Sequence, residues 1–92
     1  MNSPDPGERI HAVVAAGEQG RQEAVPLLVD RLEDEDEAVR FFAIESLERI
    51  TGTNRGYRYY DPPSLRARAV RRWRSWLEAR AGAATSQAGQ MN

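Results

Sequence analysis

The chain repeats part of itself at an interval of 31 residues. Arg9-Ile10-His11-Ala12 returns as Arg40-Phe41-Phe42-Ala43, so Arg9 pairs with Arg40 and Ala12 with Ala43. An interval of that length holds two short helices and their turns. It predicts units that bury their apolar faces only by stacking on one another.

Apolar spacing divides the chain into four helices. Ile10, Val13, Val14 and Gly17 follow i, i+3, i+4, i+7 and predict a first helix over 7–16, with Gly17 as its stop and Gly20 as a second break. Val25, Leu28, Val29 and Leu32 repeat the spacing over 22–32, with Pro26 tolerated in or near the first turn. The acidic run Glu33 to Glu37 separates this helix from the third, over 37–50, which Asp36 is suited to cap. Val39, Phe42, Ala43, Leu47 and Ile50 share its inner face, and Gly52 ends it. Residues 53–63 form an irregular loop with three tyrosines. A fourth helix follows, from Pro63 or Ser64 to Arg80, with Leu65, Ala69, Trp73, Trp76 and Leu77 as its stripe. The first six residues, with two prolines, are expected to be a flexible leader. Residues 81–92, rich in Ala, Gly, Ser, Gln and Thr, have little to bury and are expected to be a disordered tail around a domain of residues 7–80.

The run VPLLVDRLEDEDEAVRFFAIESLERI resembles a HEAT repeat. Pro26, Leu27 and Leu28 stand where the family's first helix carries Pro-Leu-Leu, Asp34 and Asp36 in its aspartate turn, and Val39, Arg40, Ala43, Leu47 and Ile50 in its second helix. Residues 9–20 look like the second helix of a preceding repeat. The segment GYRYYDPPSLRARAVRRWRSWL resembles the end of short bacterial HEAT-repeat proteins. The resemblance covers about residues 9–80 and implies an all-α fold, a short α-solenoid of about four antiparallel helices. In such stacks Asp–Arg ladders link neighbouring repeats, which implies structural roles for Arg9, Asp34, Asp36 and Arg40. Trp73 and Trp76 are large enough to close one end; helix one, at the other end, either has a polar outer side or docks on something.

The chemistry in the sequence is sparse. There is no cysteine and one histidine, His11, so no zinc or iron site is expected. The acidic run lacks the glycine and spacing of a calcium loop. No serine or threonine has a predicted histidine base, and no phosphate loop is present. Some HEAT-repeat enzymes hold metal with paired His-Glu motifs, and no such pair exists here. The expectation is a non-catalytic protein-binding or scaffolding module without cofactors. The N-terminus has no secretory signal pattern, no apolar run is long enough to span a bilayer, and cysteine is absent; a cytoplasmic setting is expected.

Charge is distributed unevenly. Residues 1–50 hold five arginines against twelve acids, and residues 51–92 eight arginines against two acids. Such polarity steers partners of either sign, or joins copies head to tail, or only reflects solvated helix faces. Contact candidates are Phe41, Tyr57, Tyr59, Tyr60 and Arg72, because aromatic residues and arginine dominate binding hot spots. Phe41 lies roughly opposite the inner face of its helix, which leaves a contact with helix four or a partner anchor. The alternative function is nucleic-acid binding, through Arg66, Arg68, Arg71, Arg72 and Arg74 with the tyrosines stacking on bases; the pI of 5.8 is far below that of a typical nucleic-acid domain.

Overall fold

The computed structural model describes residues 1–90. Four helices account for most of them: α1 (Pro6–Gln19), α2 (Val25–Arg31), α3 (Glu37–Thr51) and α4 (Pro63–Gln90), with a 3₁₀ turn, Gln22–Ala24, leading into α2. No strand occurs among the described residues. The class is the expected one, an all-helical short repeat stack.

Two rows form the body. α1 packs along α3 in one row, and α2 packs against α3 and α4 on the other side. Val13 of α1, Val25, Leu28 and Val29 of α2, Leu32 just after it, Ala43 and Leu47 of α3, and Ala69, Val70 and Trp73 of α4 form one buried core. A core shared by all four helices explains how elements as short as α2, with 7 residues, are stable.

Where α1 ends differs from the expectation. Gly17 does not stop the helix; it is buried within it, and the left-handed cap is Gly20 at φ 64°. Both glycines fit a helix terminus by pattern, but Gly17 is there for a close approach. Ser46 of α3 lies against it and donates a hydrogen bond to the Val13 carbonyl at 2.9 Å. Ser46 bonds to the latter half of α1, and Arg9 near the start of α1 meets Asp34 just before α3, so the two helices run parallel.

The echo extends to the atoms that start each helix. Asp5 caps α1 by accepting from Gly7 N at 2.9 Å, and Asp36 caps α3 by accepting from Val39 N at 3.1 Å. Before each cap, Ser3 Oγ accepts from Asp5 N and Asp34 Oδ1 from Asp36 N. After each cap, Arg9 donates to the Ser3 carbonyl at 2.7 Å and Arg40 to the Asp34 carbonyl at 2.9 Å. The leader is therefore engaged: Met1 packs against the core and its carbonyl accepts from Arg31.

The outer edge of α1 is polar where the repeat makes α3 apolar. Helical geometry turns Val39, Phe42, Ser46 and Ile50 of α3 toward α1. Subtracting the repeat interval gives Glu8, His11, Ala15 and Gln19, of which Glu8, His11 and Gln19 are exposed. Terminal repeats of solenoids carry such polar outer faces. His11 belongs to this edge.

α4 departs from the repeat. Its Arg80 reaches Gln22 before α2, while Arg74 reaches Asp30 and Glu33 at the far end of α2. It therefore runs antiparallel to α2, whereas a continuing repeat would place it parallel. The reversal explains the loop. α3 is about 22 Å long, and residues 53–62 carry the chain back along it, with the Tyr59 carbonyl accepting from Arg40 near the start of α3. On α4 the buried stripe is Ala69, Val70 and Trp73, with Trp76 and Leu77 partly buried; Leu65, expected within it, is 45% exposed. The helix continues past the expected end at Arg80 as far as Gln90, through most of the segment expected to be a disordered tail; Met91 and Asn92 lie outside the described residues.

Candidate functional site

The aromatic residues meet at one end of the α1–α3 row. Phe42, Phe41, Tyr59 and Tyr60 form a continuous edge-to-face series, with successive ring centroids 5.0, 5.1 and 5.2 Å apart. Phe41 and Tyr59 are half-buried and Tyr60 is 63% exposed. Phe41 and Tyr59 line an open groove of about 410 Å³ with Asp36, Glu37 and Ala38. The repeat explains its position. Phe41 is the counterpart of Ile10 in α1, and in place of another helix it meets Tyr59 of the return loop. The ring that Phe41 meets beyond its own helix is thus on this loop.

Two of the five expected contacts lie elsewhere. Tyr57 is only 2% exposed, and its hydroxyl donates to the Leu32 carbonyl at 2.7 Å. Burial pushes the phenol up to about 12. Tyr57 pins the loop to the end of α2 and offers no surface to a partner. Arg72 is exposed but committed to the loop, donating to the carbonyls of Arg55 at 3.0 Å and Gly56 at 3.4 Å.

A residue not singled out in the sequence organises this region. Asn54-Arg55-Gly56-Tyr57 forms a tight turn with φ 53° at Arg55 and 78° at Gly56, closed by Tyr57 N donating to the Asn54 carbonyl at 3.0 Å. The Arg55 guanidinium carbon lies 4.1 Å from the Trp76 ring centroid, and Arg80 lies 4.7 Å from the same centroid. Trp73 is buried edge-on to Trp76 and donates from its indole N–H to the Asn54 carbonyl at 3.0 Å. The Asn-x-Gly pattern was the available signal, since Asn54 Oδ1 accepts from Gly56 N at 2.8 Å as an Asx turn and glycine takes a positive φ without strain.

The Asp–Arg ladder is present in a modified form. Arg9 donates to both Asp34 oxygens, at 2.8 and 3.1 Å, and both side chains are buried. Burial opposes the Asp34 charge, but hydrogen bonds from Arg9 and from Asp36 N outweigh it and hold the carboxyl below its usual range. The hydrogen bond to Asp34 likewise raises the Arg9 guanidinium above its usual value. Asp36 serves as the α3 cap. Among the described residues Arg40 pairs with no carboxylate; it ties together the carbonyls of Asp34, Glu35 and Tyr59.

The arginines of α4 are mostly occupied. Arg66 donates to the Asp61 carbonyl, Arg72 to the loop, and Arg74 to Asp30 and Glu33. Arg68 and Arg71 are exposed and form no ion pair among the described residues. Also among the described residues, no group of three or more His, Cys, Asp or Glu is placed to hold a metal ion, and no helix is long and apolar enough to cross a membrane.

A family model described as HEAT repeats matches residues 1–84. No curated protein and no solved structure matches the chain.

Proposed function

Because the chain belongs to the HEAT-repeat family, whose repeats are in general protein-interaction scaffolds and typically non-catalytic, we propose that it is a protein-binding module acting in the cytoplasm and using the aromatic end of its α1–α3 row. The observation that carries this reading is the Phe41–Tyr59–Tyr60 series, open to solvent beside an acidic rim. Clustered aromatic side chains that are rigid and partly exposed make effective anchors, since they bury large areas with little loss of rotamer freedom. Tyr57 and Arg72 support that surface from behind by fixing the loop.

Affinity capture from the cells that make the protein tests it, comparing the native chain with Phe41→Ala/Tyr60→Ala. Proteins enriched by the native chain should be lost with the double variant; retention of all of them would overturn the proposal. The nucleic-acid alternative has less support, since three of its five arginines are committed to carbonyls or carboxylates. It requires a gel shift that weakens steeply with salt and with Arg68→Ala/Arg71→Ala.

A further inference from the structure

Part of the unequal charge of the two halves falls on different rows: three acids of residues 1–50 lie on the α1–α3 row and two arginines of residues 51–92 on α4. The outer surface of the α1–α3 row carries Glu18, Glu45 and Glu48, all exposed and all without an ion-pair partner among the described residues. Between the two helices runs a groove of about 100 Å³ floored by Val14, Phe42 and Ser46 and walled by Glu18, Glu45 and Arg49. It adjoins a second depression of about 270 Å³ along α1, where Ile10 and Ala15 add to the apolar lining beside His11. The row thus offers a shallow apolar strip with a mainly acidic border, Arg49 being its one basic member.

The α4 surface is the complement. Leu65, 45% exposed, is followed at one-turn intervals by Arg68 and Arg71. An apolar residue flanked by free cations is what a strip bordered by free carboxylates accepts. The two surfaces belong to different rows of the same molecule, so one copy cannot satisfy both by itself.

We infer that the chain associates with further copies of itself, the α4 face of one copy lying in the α1–α3 groove of the next. Such a contact is heterologous and leaves a free face at each end. It generates a concentration-dependent series of oligomers in place of a closed dimer. Its opposed charges make it weaken with salt. It uses neither Phe41 nor Tyr60 and stands or falls independently of the binding role proposed above.

Sedimentation velocity on the full chain tests it, over a range of concentrations at about 20 mM salt and again at about 500 mM, where screening is several-fold stronger. The weight-average sedimentation coefficient should rise with concentration at low salt and flatten at high salt. Arg68→Glu/Arg71→Glu should weaken association at least about tenfold, and Glu18→Arg/Glu45→Arg should do the same. Mixing the two variants should restore pairing, at least as a one-to-one complex, because the α4 face kept by one fits the groove kept by the other. All four positions are exposed, and circular dichroism checks that each variant folds. A chain that stays monomeric at low salt, association indifferent to salt, or variants that fail to complement each other would each overturn the inference.

Discussion

Gly17 of α1 and Ser46 of α3 are packed so closely that a side chain at position 17 has nowhere to go. A Cβ there would stand 2.7 Å from the Ser46 Cβ and 3.0 Å from its Cα. Gly17→Ala therefore gains about 1 kcal/mol of helix propensity but forces the helices apart, at a cost of about 1–3 kcal/mol for overpacking. The expected result is a net loss of up to about 2 kcal/mol by urea unfolding. Ser46→Gly in the same chain should recover part of it, a coupling that a double-mutant cycle would measure.

The Arg9–Asp34 pair makes stability depend on acid. The folded-state pKa of Asp34 is lowered. Its contribution is therefore fully present above the unfolded value and is lost as pH falls through the folded one. Asp34→Asn should lower stability at neutral pH by about 1–3 kcal/mol and flatten the acid limb of the stability curve below pH about 4. Unchanged acid unfolding would show that other carboxylates set that limb.

Tyr57 gives the opposite edge. Its pKa is raised to about 12 in the folded state, so its contribution is complete below pH about 10 and fades as pH rises toward the folded value. Tyr57→Phe should remove that alkaline loss and cost about 1 kcal/mol at neutral pH, since the Leu32 carbonyl loses its donor. Chemical denaturation of both chains at pH about 8 and about 11 separates the two effects.

These positions also mark how far the sequence could be read. The helices and the Asp36 cap were legible because periodicity and capping are local, whereas the meeting of Arg9 with Asp34, 25 residues on, was suggested only by the family resemblance. Tyr57 was not, since four residues hold three tyrosines and nothing local says which turns inward. Gly17 was misread because a helix stop and a close helix approach both call for the smallest residue. The direction of α4 was hidden too, since an amphipathic stripe has no polarity, and its buried face is turned enough that Val70 is covered while Leu65 is 45% exposed. Within the candidate site, Phe41, Tyr59 and Tyr60 could be nominated one by one, but their meeting depends on the return of the loop along α3.

Arg55 balances strain against contact. Its left-handed backbone disfavours any residue with a Cβ by about 1–2 kcal/mol, while its guanidinium covers Trp76 for about 0.5–1 kcal/mol. Arg55→Gly relieves the first and removes the second. Stability should rise by no more than about 1.5 kcal/mol, while tryptophan emission shifts to the red as Trp76 meets water. A large loss of stability would mean that the cation contact dominates.

The reversed course of α4 decides how this protein can grow. A chain whose last helix ran with the repeat would accept another 31-residue unit appended at its end. Here α4 points the other way, so it does not repeat the edge that α2 offers to its neighbour. A duplicate spliced in between Gly20 and Gly52 keeps the polar first edge and the reversed closure in place. Insertion upstream of the reversal thus lengthens the stack without disturbing the contacts that α4 makes.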